Sequence, residues 1–343
     1  MKKWILIFVF FSLLITFFTS CDNQLVKDSA FRRAGKISEN HGSKKNITLV
    51  CWNVETFFDA VTVGTEYQEF KNSERWNQEK YQKRLNKLCE VMTSLNPNIF
   101  VMEEIENEEV VQDIANNLAA SSWDSKKNWQ YVCFAKETGS AIGCAVFSRY
   151  ELEKLLLHSL DIRTQSEAQP SSRPIMQLIV CVGSQEVNLF VNHWKSKSGG
   201  EEETEIWRDW QEMVLADNIP DEMPLVICGD FNRSAEDFIL TASHNSINNT
   251  LLRGSNKSQE TFSPWFRSDG KFATEGGSYY YSGSWERIDN ILVSGGVNVS
   301  SFSPVTDPPL ADEEGIPVSY KVFTGEGCSD HLPLKCVISI PYD

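Results

Sequence analysis

The chain has 343 residues, and its 47 acidic and 32 basic side chains give a formal net charge of −15. Hydrophobic residues make up 41% and charged residues 23% of the sequence, which excludes a disordered or collagen-like protein. The acidic balance argues against a protein that coats nucleic acid through bulk positive charge. It does not exclude an enzyme in which a divalent metal supplies the positive field at a phosphate.

The N-terminus has the pattern of an export signal. Lys2 and Lys3 precede an uncharged run from Trp4 to Ser20, and the small residues before Cys21 resemble a bacterial lipobox. A short cationic start with an apolar stretch behind it is typical of a secretory signal. We therefore predict a lipoprotein signal peptide at residues 1–20 and an acylated Cys21 that holds the protein on the extracytoplasmic side of the bacterial cell envelope. An uncleaved membrane anchor is the alternative.

The segment after Cys21 is polar and has no apolar period up to residue 46, so we predict a flexible tether at 21–46. Residues 47–343 contain no linker-like stretch, and we predict that they form one catalytic domain. Eight further cysteines follow, without a C-x-x-C motif, which argues against a zinc ribbon or a thioredoxin-like centre. We expect these cysteines to behave as small buried apolar residues, while disulfide pairing stays open.

Short apolar runs alternate with helical periods along the domain. Residues 79–95 carry apolar side chains at alternating intervals of four and three, the spacing of one helix face. Further helices are predicted at about 110–118 and 203–218, and strands at 47–52, 99–102, 142–148, 175–182, 187–192, 225–229, 287–293 and 334–340. Several of these strands follow one another without a helix between them, which favours two packed sheets with helices outside. The stretch 252–286 is rich in Gly, Ser and aromatic residues and is predicted to form long loops.

Six polar clusters lie at the ends of predicted strands, where ligands are usually bound. They are Asn53 with Glu55, Glu103 with Glu104, His193 with Lys195, Asp230 with Asn232, Arg287 with Asp289, and Ser329 with Asp330 and His331. Carboxylate and amide oxygens suit a hard cation such as Mg²⁺. A metal, a carboxylate that activates water and an imidazole near phosphate together describe phosphodiester hydrolysis. Turn chemistry or surface salt bridges could explain each cluster alone, but not all six in this order.

The ordered set resembles the endonuclease/exonuclease/phosphatase superfamily, in particular bacterial exported members of its DNase I-like branch. The segments that carry the resemblance are Trp52-Asn53-Val54-Glu55, Glu103-Glu104-Ile105-Glu106-Asn107, Asn192-His193-Trp194-Lys195-Ser196, Gly229-Asp230-Phe231-Asn232, Arg287-Ile288-Asp289 and Ser329-Asp330-His331. The resemblance spans about residues 47–340. It implies an α/β (α+β) fold of the DNase I-like type, a four-layer β-sandwich of two mixed sheets flanked by helices.

The resemblance also implies the ligands of a metal site. Glu104 resembles the principal metal carboxylate, and Asn53 and Asp330 resemble residues that complete the site directly or through water. The expected cofactor is Mg²⁺, with Mn²⁺ or Ca²⁺ as alternatives. Arg173 resembles a residue that contacts a phosphate. The roles of Glu55 and Glu103 stay open.

The catalytic groups follow from the same resemblance. Asp230 resembles the residue that orients or deprotonates the attacking water, and Asn232 resembles the carboxamide that holds water or a phosphate oxygen. His331 resembles the imidazole that contacts the scissile phosphate, and Asp289 the carboxylate that fixes its tautomer and charge. His193 resembles a second active-site histidine near the leaving group.

The function implied is that of a metal-dependent phosphodiesterase, and most specifically an extracytoplasmic endonuclease that cleaves DNA or RNA. A lipid or inositol phosphodiesterase or phosphatase that resembles sphingomyelinase is the first alternative, since aromatic residues in 252–286 could stack on bases or touch lipid. A non-catalytic surface-binding lipoprotein is the second. The expected partners are a nucleic acid, with DNA first, and the membrane through Cys21. No protein partner is expected, and the chain is expected to be a monomer.

Overall fold

The computed structural model describes residues 6–9, 45–72, 74–121, 128–162, 169–243 and 246–341. Within these ranges the α-helices are α1 (Gln78–Leu95), α2 (Glu108–Ser121) and α3 (Glu201–Asn218). The strands are β1 (Leu6–Val9), β2 (Lys45–Phe57), β3 (Ile99–Ile105), β4 (Tyr131–Ala135), β5 (Gly143–Ser148), β6 (Glu151–His158), β7 (Ile175–Val182), β8 (Gln185–His193), β9 (Leu225–Asp230), β10 (Ile239–Ser243), β11 (Ser246–Arg253), β12 (Ser258–Phe262), β13 (Tyr279–Tyr281), β14 (Ser284–Glu286), β15 (Asp289–Ser294), β16 (Asn298–Pro304) and β17 (Leu334–Ile340).

Two large mixed sheets contain most of these strands. The first sheet has the order β1-β4-β5-β3-β2-β17-β16, and the second has the order β10-β11-β12-β15-β9-β8-β7-β6. In each sheet one central pair is parallel, β2 with β3 and β8 with β9, and the other pairs are antiparallel. The short hairpin β13–β14 stands apart from both sheets.

Each sheet buries side chains on both of its faces, one face against the other sheet and the other face against helices. Leu49 of β2 points into the core between the sheets, where it joins Val226 of β9, whereas the next residue, Val50, faces α1 and α2. On the far side, Leu215 of α3 packs with Phe190 of β8. Burying such a side chain contributes about 1.5–3 kcal/mol. The order helix, sheet, sheet, helix confirms the predicted four-layer sandwich.

Helix α1 agrees with the prediction for 79–95, and its ends show why. The side chain of Asn77 accepts a hydrogen bond from the backbone N–H of Lys80, which caps the first turn. Asn96 adopts a left-handed conformation and donates its N–H to the carbonyl of Met92, and this closes the helix directly before Pro97.

The prediction of long loops at 252–286 was wrong in part. The segment contains the end of β11, all of β12 and the hairpin β13–β14. These strands are three to eight residues long and lie among Gly and Ser residues, so they produce no clear alternation of apolar and polar positions. The strands β6 and β16, which the sequence did not predict, lie at sheet edges, where burial selects apolar residues less strongly. Strand β4 was also not predicted, although its five residues are apolar and mostly buried.

Most of the predicted signal peptide, Cys21 and most of the tether lie outside the described residues. Leu6–Val9 alone is described from this region, as a strand antiparallel to β4, and β2 begins at Lys45, two residues before the predicted start of the domain. The three predictions stay predictions. In the part of the chain that the structure describes, we find no helix whose length and apolar character would let it span a bilayer.

The eight described cysteines carry free thiols, and seven of them are buried. Cys181 on β7 is the partly exposed member of this set. The expectation that these residues pack as small apolar side chains is therefore confirmed for the described part of the chain.

Candidate active site

The candidate site lies where the carboxyl ends of the two parallel strand pairs meet. Strand register places Asn53 of β2 opposite Glu103 of β3 in the first sheet. In the second sheet, Asp230 of β9 lies opposite both His193 of β8 and Asp289 of β15. Because both sheets end at the same rim, polar residues that are far apart in the chain become neighbours there.

The strand end at Asp230 depends on a glycine and a left-handed asparagine. Gly229 has φ +135°, and a Cβ atom there would collide with the backbone carbonyl of Asn192. Asn232 has φ 46°, a conformation that Asn tolerates better than most residues. Its backbone N–H donates to Asp230 Oδ1 at 2.8 Å, and its side-chain amide donates to Asp230 Oδ2 at 3.1 Å. The motif therefore fixes the orientation of the Asp230 carboxylate.

Asn53 joins two carboxylates at the centre of the site. Its Nδ2 lies 3.3 Å from Glu104 Oε1 and 3.1 Å from Asp230 Oδ2, so it contacts one carboxylate from each sheet. The backbone N–H of Thr56 donates to Glu104 Oε2 at 2.6 Å. Glu104 is itself left-handed, with φ 66°, and this turns its side chain toward the rim.

His331 and Asp289 form a buried pair beside this centre. His331 Nδ1 lies 2.8 Å from Asp289 Oδ2. The loop that carries His331 is fixed to the end of β2, because Trp52 Nε1 donates to the His331 carbonyl and Ser329 Oγ donates to the Asn53 carbonyl. Burial opposes the charged imidazolium, but the carboxylates of Asp289 and Asp330 outweigh it and hold the pKa of His331 well above its usual range.

His193 has the opposite electrostatic environment. Burial, together with the positive charges of Arg173 and His331, holds the pKa of His193 well below its usual range, so its imidazole is neutral. Its Nε2 lies 3.5 Å from Glu104 Oε1 and 3.8 Å from Asp230 Oδ2. The half-buried Arg173 donates to the Trp194 carbonyl at 2.9 Å, one residue beyond His193.

The carboxyl groups of the site destabilise one another as anions. Burial, and then the charge of Asp330, raises the pKa of Glu104. Burial raises the pKa of Asp230 to about 7; the positive charge of His331 opposes the shift, and Asp289 adds to it. A cation placed among these oxygens would relieve both effects.

The donor set fits a divalent metal. Asp230, Asp289 and His331 have ligand-type atoms within 4.8 Å of one another. His331 is protonated beside Asp289 and so has no free lone pair, which leaves the carboxylate oxygens of the site as the donors for a cation. The side chains of Glu104 and Asp330 are 17% and 38% exposed, so a cation held by them would keep part of its water shell, as Mg²⁺ does in proteins.

The structure brings together all nine residues singled out from the sequence, on two sheets and their connecting loops. Asp330 lies at the edge of the group, with Oδ1 3.9 Å from His331 Nε2. Arg173 lies near the group, because it donates to the Trp194 carbonyl, one residue beyond His193, and its positive charge acts on His193 and Glu104. Convergence is what the motif order predicted, whereas the individual roles stay predictions.

Three neighbouring groups were not assigned a role from the sequence. Glu103 is fully buried and accepts a hydrogen bond from Cys51 Sγ at 3.2 Å; burial, and then Asp289, holds its pKa well above its usual range. The Tyr279 ring packs on the His331 ring at 4.7 Å between centroids. Glu55 accepts from Ser319 Oγ and from the Tyr320 N–H, both at 2.7 Å. The quoted motif contained Glu103 and Glu55, but no pattern distinguished Tyr279 from its aromatic neighbours.

The two-sheet sandwich and its acid and imidazole site define a DNase I-like hydrolase fold. The family model of the Endonuclease/Exonuclease/phosphatase family matches residues 48–336, and the chain therefore belongs to this family. Members of this superfamily are hydrolases that act on phosphoester bonds, and they are generally dependent on a divalent metal.

Solved structures share this fold at low sequence identity. Truncated TDP2 from Caenorhabditis elegans is 14% identical, with a TM-score of 0.53 over 86% of this chain and 98% of that chain. A family protein from Bacteroides thetaiotaomicron is 13% identical (TM-score 0.53; 88% and 99% covered), and the catalytic domain of human nocturnin is 17% identical (0.53; 86% and 97%). At these identities the likeness shows the fold alone. No curated protein matches the chain.

Proposed function

We propose that the protein is a divalent-metal-dependent phosphodiesterase, and specifically an endonuclease that cleaves DNA, with RNA as its second nucleic-acid substrate. The observation that carries the proposal is the contact of Asn53 with both Glu104 and Asp230, next to the buried pair of His331 and Asp289. Acid, amide and imidazole groups within reach of one phosphate are what hydrolysis of a phosphodiester requires.

The metal site consists of Glu104, Asn53 and Asp330. A bound Mg²⁺, or Mn²⁺ or Ca²⁺ in its place, supplies positive charge that stabilises the phosphate in the transition state. Asn53 donates from Nδ2 to both Glu104 and Asp230, and it would thereby keep the metal-binding carboxylate in register with the carboxylate that activates water.

The remaining residues position the phosphate and move protons. Asp230 orients and deprotonates the attacking water, and the amides of Asn53 and Asn232, both 3.1 Å from its Oδ2, hold the carboxylate in place. His331, kept protonated beside Asp289, donates a hydrogen bond from Nε2 to a phosphate oxygen. His193, which is neutral, lies on the leaving-group side, and Arg173 binds phosphate.

An aromatic surface beside His331 supports a nucleic-acid substrate. The Tyr281 ring is nearly parallel to the Tyr279 ring at 6.3 Å, and Tyr281 is 61% exposed. Exposed rings of this kind stack on bases without regard to sequence. The tip of the hairpin is the polar run Ser282-Gly283-Ser284, which suits a wet nucleic-acid groove better than insertion into lipid.

The second candidate is a lipid or inositol phosphodiesterase or phosphatase. The net charge of −15 and the predicted lipid anchor at Cys21 favour it, since a tethered enzyme meets lipid headgroups and an acidic surface repels DNA. A binding protein without activity is disfavoured because Glu104, Asp230, Asn232, Asp330 and His331 are all present. In either enzyme, we propose a lipid-anchored monomer on the extracytoplasmic side of the cell envelope.

A substrate panel tests the proposal. Purified protein is incubated with supercoiled plasmid, single-stranded DNA, RNA, sphingomyelin vesicles and inositol phosphates, with Mg²⁺ or with EDTA. Nicking of the plasmid that requires Mg²⁺ and is lost in Asp230→Asn supports the nuclease. Release of phosphocholine or phosphate without nicking supports the second candidate, and inactivity on the entire panel contradicts both.

A further inference from the structure

Two consecutive residues at the end of β2 are held in an unfavourable backbone conformation. Glu55 has φ 54° and Thr56 has φ 46°, although neither is glycine and Thr is β-branched. Non-glycine residues rarely adopt this left-handed region, and they remain there only where their surroundings fix them. The pairing of β2 with β3 is interrupted at this point, between Asn53 and Phe57. We call Glu55 and Thr56 the left-handed turn.

The left-handed turn orients two residues of the proposed metal site, the Glu104 carboxylate and the Asn53 amide that donates to it. It directs the Thr56 N–H at Glu104 Oε2, at 2.6 Å. It also brings the Glu55 N–H to Asn53 Oδ1, at 3.0 Å, and so aims Asn53 Nδ2 at Glu104 Oε1. If the turn relaxed to an ordinary extended conformation, both N–H groups would point elsewhere, and the Glu104 carboxylate and the Asn53 amide would lose their fixed orientation.

Arg84 of α1 holds the turn through hydrogen bonds to its backbone carbonyls. Its guanidinium is buried and donates to three successive backbone carbonyls, those of Val54 at 3.0 Å, of Glu55, and of Thr56 at 3.1 Å. These hydrogen bonds come from both terminal nitrogens, so the group contacts the turn as a planar fork. A lysine ammonium at this depth would be a point donor that cannot span three carbonyls in the same way.

Aromatic rings fix the guanidinium itself. Its central carbon lies 3.8 Å from the centre of the Tyr320 ring and 4.7 Å from that of the Phe57 ring. The Tyr320 segment also binds the Glu55 carboxylate, through the Tyr320 N–H and Ser319 Oγ. The turn is therefore fixed through its carbonyls by Arg84 and through its carboxylate by the 319–320 segment.

We infer that Arg84 is a positioning residue for the divalent cation: by holding the left-handed turn, it sets the geometry in which Glu104, supported by Asn53, binds the metal. The inference rests on the metal site of the proposed function. It predicts that replacing Arg84 weakens cation binding in protein that is still folded, so a loss of stability alone does not explain the effect. Outer residues that orient metal ligands typically change affinity by about 10–100-fold when replaced.

The test measures binding of Mn²⁺ to the full chain without substrate, from the electron paramagnetic resonance signal of the free ion. We expect Arg84→Met to bind Mn²⁺ at least about tenfold more weakly than wild type. Arg84→Lys should recover little of the loss, because an ammonium cannot span the three carbonyls. The matched control is Leu85→Ala, which removes a buried side chain from the same helix but leaves the turn intact, and it should bind Mn²⁺ like wild type.

Thermal unfolding of each variant identifies those that are folded. If Arg84→Met does not fold, Arg84→Lys provides the same comparison with the positive charge retained. Wild-type affinity in a folded Arg84 variant, or equal weakening in Leu85→Ala, would overturn the inference. Failure of wild type to bind Mn²⁺ would instead contradict the metal site, so the two failures are distinguishable.

Discussion

His331 Nδ1 lies 2.8 Å from Asp289 Oδ2, and this pair joins a loop next to the first sheet to a central strand of the second. The contact leaves Nε2 as the imidazole atom available to a phosphate. It also keeps the ring charged, since burial alone would favour the neutral form.

Replacement of Asp289 by Asn should therefore reduce kcat strongly. The amide preserves shape but does not stabilise an imidazolium, and loss of such a group lowers rates by about 10²–10⁴-fold. KM should change little, because Asp289 is not expected to touch substrate. Steady-state kinetics on plasmid or a short duplex measure both constants. Asp307→Asn, at an exposed position, is the control and should behave as wild type, whereas near-normal turnover in Asp289→Asn would contradict the role of the pair.

Removal of the metal should abolish activity, and addition of Mg²⁺ should restore it. Glu104→Gln should shift the Mg²⁺ requirement to higher concentration, because the neutral amide loses the charge attraction while its oxygen still accepts from the Thr56 N–H. The measurement is a Mg²⁺ titration of initial rate. Glu90→Gln on the exposed face of α1 is the matched control, and an identical titration curve for Glu104→Gln would exclude Glu104 as a metal ligand.

The exposed ring of Tyr281 should contribute to binding of single-stranded or nicked DNA. Tyr281→Ala should raise KM by an amount equivalent to about 1 kcal/mol or more, the lower end of base stacking on aromatic side chains. Tyr281→Phe retains the ring and should retain KM. Kinetics on oligonucleotides provide the measurement. Equal KM values for all three proteins would mean that bases do not stack at this position.

The buried thiols should be unreactive in the native protein. Burial raises the pKa of Cys133 and Cys336 to about 12, so these groups are protonated as well as inaccessible. A chromogenic disulfide reagent should therefore label Cys181 alone among the described cysteines within minutes, and all eight after denaturation. Cys181→Ser should eliminate the fast phase. Several fast thiols in native wild type would contradict the packing described for the two sheets.

The glycine at the end of β9 should be sensitive to substitution. Gly229→Ala forces a Cβ against the Asn192 carbonyl at φ +135°, and we expect a loss of more than about 1 kcal/mol in the free energy of unfolding. Gly64→Ala is the control for backbone strain without a steric collision, since Gly64 has φ +103° but open space around it. Its loss in the free energy of unfolding should be smaller. Chemical denaturation measures both values, and similar losses would mean that the collision is relieved by a backbone shift.

The residues of the candidate site could be predicted from the sequence because they lie at strand ends, where apolar periodicity stops and motif order is visible. The same periodicity located α1, β3 and β9 closely. It failed for β6 and β16, whose exposed faces and edge positions carry mixed residues. In the loop-rich stretch before β15, short strands joined by Gly and Ser gave no periodic signal.

Arg84 illustrates a different limit. A charged residue within a helical pattern suggests a solvent-facing position, and nothing in the local sequence indicates that it is buried against three carbonyls of a turn about thirty residues earlier. The contact depends on how α1 packs on the first sheet. Tertiary packing determines the burial and the contacts of Arg84, and the local sequence pattern does not indicate either.

The eight groups around the phosphate site divide evenly between the halves of the sandwich. Asn53, Glu104, Asp330 and His331 come from the first sheet and its loops, and His193, Asp230, Asn232 and Asp289 from the second. Neither half has a complete reaction centre. The complete set of groups is therefore assembled only after the two halves have docked, so partly folded chains with a single sheet formed would lack the reaction centre.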